Sequence, residues 1–600
     1  MNINSMKRSF VSVSLAVTWF CAGIGSAATL TVTPSAISNT YTGVITLDIT
    51  GVTNGEKVAV ETYLDLNANG SIDPGEPMMD AFKITDGGVM VIGGVTNINV
   101  PFDRNSTTGA ITTTLNFAPP MVLENIVGQK IYRLVSPGGN FSPVTATLLV
   151  TNAVTAQTLS GTVYSNGITP LPHAVVVVLP PNGNGYTGAV VADSNGHYLI
   201  NVNPGTYQLL AALPDYIIDQ STGAQVTLTN GMSATNDFSL TNGTVTISGN
   251  LYDAGNSNGV GGLMFQLESG NLFGINFTDT NGNYSAAVAP SFWKVTPNKE
   301  RSPRRAYVIS QNSLQVDTTG GNVTNANVAL YKGNALFYGR ITDNASVPFA
   351  SIEFAGNDSN NLYSAKGYSD PNGYYTVAVL GDTNFLDTTN FWDGNPDSSG
   401  NVALSSYVLN GFDFTNILAG QAIQQNYVAL PVTASISGQV RDNLGNPVAG
   451  VALYASTLVI GIGYRSLNGQ TDNSGNYTLG VASGTWQVYF SFGDNDLASL
   501  GLVDYFEPYN VSIPPTNAVL NLTVYQNGTP VISQPQRFSA TQFGFNINGG
   551  INVNYTVQVS TNLASSNWSS LFSLQLNHSP FFVVDPNATG SQRFYRVQKN

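Results

Sequence analysis

Residues 159–179 read LSGTVYSNGITPLPHAVVVVL, and residues 193–200 read DSNGHYLI. The first stretch is a strand with a glycine in its middle, a turn rich in Asn, Gly and Pro, and a second, valine-rich strand. The second stretch is a turn running into a strand. Asp193 can hydrogen-bond the backbone just after it, Gly196 tolerates a reversal of the chain, and Tyr198 alternates with polar neighbours as on a strand with one buried face. The pair recurs four times. The glycine strands return as ISGNLYDAGNSNGVGGLMFQL (247–267), FYGRITDNASVPFASIEF (337–354) and ISGQVRDNLGNPVAGVALYA (436–455). The turns return as DTNGNYSA from Asp279, DPNGYYTV from Asp370 and DNSGNYTL from Asp472. Three copies add a second tight feature: PGTYQL, PSFWKV and SGTWQV, ending in strands that carry Tyr207, Trp293 and Trp486. A repeat of this length, made of short punctuated strands, predicts tandem antiparallel β-sandwiches.

The copy containing VADSNGHYLINVNPGTYQLLAALPDY resembles the carboxypeptidase regulatory-like domain, a transthyretin-like sandwich related to the carbohydrate-binding-like fold. The resemblance divides the chain into residues 154–242, 243–334, 335–432 and 433–528, the second and third copies being divergent and the third carrying an insertion. It implies binding, spacer or stabilising modules of a secreted bacterial protein, with sugar binding in some relatives. Residues 28–153 alternate like a further sandwich (TGVITLDIT, KIYRLV, TATLLV). Residues 529–600 resemble a small C-terminal β module of large secreted bacterial proteins. The expected fold class is therefore all-β: a tandem, elongated array of Ig-like or transthyretin-like sandwiches. Pilin-like Lys–Asn cross-links are excluded in 154–242 and 433–528, which contain no lysine.

Residues 1–27 read as a secretory signal peptide, with Lys7 and Arg8 ahead of an apolar run and GSAA at its end. Cys21 is the sole cysteine and lies in that run, behind a Phe20 too large for a lipidation site, so the exported chain is expected to have no disulfide. Only 9% of residues are charged and the net charge is −14, which argues against a nucleic-acid partner. No later apolar run is long enough to span a membrane. The basic cluster WKVTPNKERSPRR (293–305) reads as a solvated loop.

DLNANGSIDPGE, residues 65–76, fits the twelve-residue calcium loop. Asp65, Asn67, Asn69, the Ser71 carbonyl, Asp73 and Glu76 occupy the ligand positions, Gly70 takes the sharp turn, and Ile72 has the apolar side chain that pins such a loop to a core. Strands in place of the usual helices can flank it, because coordination depends on the loop's own turns. A structural Ca²⁺ is expected here. DGNPDSSG from Asp393 is a poorer match, lacking the turn glycine and the final Glu.

Catalysis is not expected. His173, His197 and His578 have no metal-ligand spacing, and the GNSNG at 255–259 is followed by a strand rather than the helix a nucleophile elbow requires. A ligand site is expected instead in the insertion GDTNFLDTTNFWDGNPDSSGN (381–401), where Phe391 and Trp392 stand beside Asp393 and Asn395. The function read from the residues is non-catalytic binding of a polysaccharide or cell-surface glycan outside the cell. The alternative is a structural or adhesive stalk with protein partners, and hydrolysis comes third.

Overall fold

The computed structural model describes residues 27–117, 122–179, 188–222, 225–382, 391–392, 395–396, 404–412, 415–459, 462–466, 469–491, 497–513, 517–564, 566–590 and 592–600. Residues 1–27, read above as a signal peptide, lie outside them apart from residue 27. The described chain is nearly all β. One helical turn, Val122–Asn125, and a few short 3-10 turns interrupt the strands.

The second module shows why the repeat has its residues. Strand Gln157–Ser165 pairs antiparallel with His197–Val202, placing Gly161 opposite Tyr198. Its two halves also pair in parallel with different segments, Ser233–Thr235 and then Phe238–Asn242. Between those segments the chain crosses directly over Gly161, so a Cβ there would lie 1.9 Å from the Asn236 carbonyl oxygen. That oxygen accepts the Tyr198 hydroxyl at 2.6 Å. The other copies repeat the arrangement with Gly249, Tyr284 and the Ala326 carbonyl; Gly339, Tyr375 and Gln425; and Gly438, Tyr477 and Leu520. Glycine and tyrosine recur together because one carbonyl needs both the space and the donor.

The turns follow the same local logic. Asp193 Oδ1 accepts the backbone N–H of Asn195 and of His197, and Asp279, Asp370 and Asp472 do the same in their modules. Trp293 and Trp486, 0% and 1% exposed, each donate their indole N–H to the carbonyl four residues earlier. Tyr207 uses its hydroxyl identically on Asn203. These aligned aromatics are core residues.

The modules are joined by sheet. Strand Tyr216–Asp219 pairs its first two residues with the last strand of its own module and its last two with Leu272–Phe277 of the next. Tyr307–Ser310 and Tyr407–Asn410 repeat this division at the following junctions. At the first junction Ile126–Val135 pairs with Gly188–Val191. Ile217, Val308 and Val408, on these crossing strands, are buried in the core of the following module. Each such side chain contributes about 1.5–3 kcal/mol, which ties neighbours together through packing as well as hydrogen bonds.

The array is not a simple extended string. The first module also packs on the fourth: Asn99 Nδ2 donates to the Thr376 carbonyl at 2.8 Å and Ser351 Oγ to the Phe117 carbonyl at 3.2 Å. Ile92 shares a cluster with Leu336 and Ala378. The elongated arrangement expected for independent modules gives way because the first module carries polar and apolar faces complementary to three later ones. The terminal module is held by its own small core around Phe545, Ile547 and Tyr555, and the Tyr555 hydroxyl reaches back to the Gly528 carbonyl at 2.8 Å.

Candidate functional site

The loop at 65–76 caps a β-hairpin of Lys57–Asp65 and Met78–Thr85. Gly70 has φ +77°, the reversal the loop needs. Asp65 is 3% exposed and accepts the N–H of Asn69 at 3.2 Å, that of Gly70 at 2.7 Å and the Gln129 amide at 3.0 Å. Glu76 spans the loop, one oxygen on the Leu66 N–H and the other on the Asp73 N–H, both at 2.9 Å. Asp73 Oδ2 accepts the side-chain amides of Asn67 at 2.8 Å and Asn69 at 2.6 Å, which hold its carboxyl below the usual range. The Asn69 oxygen caps Ser71 N–H at 2.7 Å. Ile72 packs on Tyr63, Met78 and Ile131.

The donor types suit calcium, and the amides of Asn67 and Asn69 could present oxygen instead of nitrogen by a half-turn. The carboxylates of Asp65 and Glu76, however, are engaged by backbone N–H groups. Among the described residues no three acidic, histidine or cysteine side chains are gathered as a metal cluster.

The arginines of the basic cluster are not solvated. Ser302–Arg305 forms a 3-10 turn buried against the first module. Arg304 reaches Asp80 at 2.6 Å and Arg305 reaches it at 2.8 Å, while Arg301 and Arg304 both contact Glu124. The Asp80 and Glu124 side chains are 0% and 3% exposed. Lys130 donates to the carbonyls of Leu123, at 3.0 Å, and Glu124, and Glu300 accepts the Leu123 N–H at 3.3 Å. Burial opposes ionisation of Asp80 and Glu124, yet the surrounding arginines hold both carboxyls below their ordinary range. Burial pushes the Lys130 ammonium down to about 7 and the Glu300 carboxyl up to about 7.

Sequence reasoning missed this cluster because the carboxylates that neutralise the arginines lie far away in the chain. A signal existed. Asp80 interrupts the apolar run of MMDAFKI and Lys130 stands at the head of the strand stretch KIYRLV, in a chain otherwise poor in charge.

The insertion is described only in part. The backbone of Phe391–Trp392 pairs with Thr415–Asn416, and that of Asn395–Pro396 with Phe354 and Ala355. The side chains of Phe391, Trp392 and Asn395, all of Asp393, and most of the weaker loop at 393–400 lie outside the described residues. His197 is exposed, with Nδ1 3.9 Å from Asp193, and His578 Nδ1 lies 2.7 Å from the Pro580 carbonyl. Ser257, at φ +60°, sits in a loop held by Asp253.

No family model matches the chain, and no curated protein matches it. Similar solved structures include the Bacillus anthracis TIE protein, at 12% identity and TM-score 0.15, with 67% of this chain and 75% of that one covered. A streptococcal ancillary pilin has 11% identity and TM-score 0.16, over 47% of this chain and 99% of its own. BcpA, the major pilin subunit of Bacillus cereus, has 11% identity and TM-score 0.13, over 62% and 99%. Likenesses of this size carry no argument about function. The chain's own strands make it a tandem array of β modules.

Proposed function

We propose that this chain is a non-catalytic structural or adhesive protein that works outside the cell, with protein partners, as one stiff body of carboxypeptidase regulatory-like modules. The observation that carries this reading is the passage of sheet from module to module at four successive junctions. Two-residue strand pairs alone would be weak, but each is backed by burial in a shared core, and the arginine cluster locks the first module to the third. Amide hydrogen exchange tests it. Ile218, Ile309 and Leu409 should be protected as strongly as module cores, whereas rapid exchange at these residues alone would mean freely hinged modules and overturn the stalk reading.

Glycan binding is the second reading. It is favoured by the outer face of the fifth module, where Tyr454 and Tyr489 stack at 5.2 Å with Arg465 3.7 Å above Tyr454 and the Gln487 and Asn510 amides alongside. Rings beside amides are suited to sugars. Retention on insoluble polysaccharides, lost on Tyr454→Ala, would move the assignment to this reading. A calcium ion in the 65–76 loop is proposed as structural, supported by the ligand types of Asp65, Asn67, Asn69, Ser71, Asp73 and Glu76.

A further inference from the structure

The second and fifth modules use one position of their sheets in opposite ways. Counting from the equivalent Tyr207 and Trp486, Leu210 matches Tyr489, and their cross-strand partners are Val177 and Tyr454. The fifth module thus presents tyrosines where the second presents Val177 and Leu210, joined on the same face by Val175 and Ala212. Side chains alternate along a strand, so this face is distinct from the Val176 and Val178 side that fills the module's own core.

An apolar outer face requires a cover. The first module supplies Leu64, Leu66 and Met79, and the third supplies Phe273, Ile275 and Phe277, but the three modules do not close on each other. They leave a cavity of about 460 Å³. Protein interiors tolerate few voids larger than a water molecule, whereas pockets of ~300–1,000 Å³ with mostly apolar walls and a few polar groups are typical of ligand sites.

The polar groups define the ligand further. Among the described residues no lysine or arginine lines the cavity. Its one carboxylate, Asp215, is exposed and accepts the Asn276 amide at 3.1 Å and the Ala287 N–H at 2.9 Å on a single oxygen, Oδ1. An acidic headgroup therefore has no cation to meet, and a basic one would find only a solvent-exposed carboxylate, which water screens. His173, Gln266 and Asn298 supply the remaining polar side chains of the lining. From this geometry we infer that the junction of the first three modules is a binding site for an uncharged, largely hydrocarbon molecule bearing a single hydroxyl or carbonyl, which the neutral polar side chains of the lining, His173 among them, can meet.

The test uses the full exported chain and the neutral fluorescent probe N-phenyl-1-naphthylamine, displaced by 1-dodecanol or by dodecanoate. The wild type should bind the probe, and dodecanol should displace it at concentrations at least tenfold lower than dodecanoate. Leu210→Trp and Ala212→Phe, which fill the cavity from two neighbouring positions on one strand face, should each weaken probe binding tenfold or more without lowering the melting temperature. His173→Phe should weaken dodecanol while leaving the probe in place. No probe binding by the wild type, or unchanged binding in whichever filled variant keeps wild-type circular dichroism, overturns the site. Equal displacement by dodecanoate overturns the uncharged ligand.

Discussion

The Tyr198 hydroxyl and the Asn236 carbonyl are 2.6 Å apart, and the same carbonyl occupies the space a Cβ on Gly161 would need. One backbone oxygen thereby accounts for two recurring residues of the repeat. It also marks where the chain changes from one sheet to the other.

Substitution there should be costly in two different ways. Tyr198→Phe removes the donor and leaves a part-buried carbonyl unpaired, an expected loss of about 1–3 kcal/mol. Gly161→Ala forces backbone apart and is expected to cost about as much or more. Urea denaturation of both variants, and of Tyr477→Phe as a second copy, checks the prediction; a loss confined to one module would show that the copies are not equivalent.

Asp80 should be more sensitive than any surface acid. Asp80→Asn leaves Arg304 and Arg305 buried against an uncharged partner, and breaking a buried pair costs about 3–5 kcal/mol. The expected readout is release of the first module, seen as new proteolytic cleavage within residues 299–306 at a temperature where the wild type is intact. Resistance equal to the wild type would mean that the cluster is dispensable for docking.

The same cluster sets a pH dependence. Asp80 and Glu124 titrate lower when folded than their ordinary values of 3.8 and 4.5, so their contribution is complete above about pH 4.5 and is lost as the pH falls. Glu300 is opposite in sign: raised from 4.5 to about 7, it favours docking below pH 4.5 and loses that contribution as the pH climbs through 7. Glu300→Gln should flatten the decline in melting temperature between pH 4.5 and 7 and leave the acid limb below pH 4.5 in place. An unchanged slope between pH 4.5 and 7 contradicts the assignment.

Calcium should raise the melting temperature of the wild type, and chelator should reverse the effect. Because Asp65 also accepts two backbone N–H groups and the Gln129 amide, Asp65→Ala is expected to destabilise the hairpin even in chelator. The diagnostic variant is Asp73→Ala, whose carboxylate meets only the side-chain amides of Asn67 and Asn69 among the hydrogen bonds of the loop. It should melt like the wild type in chelator and fail to respond to calcium; identical wild-type melting with and without the ion would sink the site.

Much of the fold was legible because its causes are local. Asp193 and its counterparts bond N–H groups two and four residues on, Trp293 and Trp486 bond carbonyls four residues back, and Ile72 packs beside its own hairpin. The Gly161–Tyr198 pairing was visible as a recurrence although its cause, the carbonyl of Asn236, was not. The candidate site was less legible. Ligand types at 65–76 were readable, but not that backbone N–H groups engage Asp65 and Glu76.

The sequence by itself determined the strands, the turns and the recurring sandwich, since alternation and turn chemistry act over a few residues and need no distant partner. Only the tertiary structure decided what becomes of the charges and the outer faces. Arg301, Arg304 and Arg305 read as solvated until Asp80 and Glu124 are brought to them. Val177 and Leu210 read as ordinary strand residues until two other modules enclose the space above them. Both outcomes depend on complementarity between surfaces far apart in the chain, which no local pattern of residues encodes.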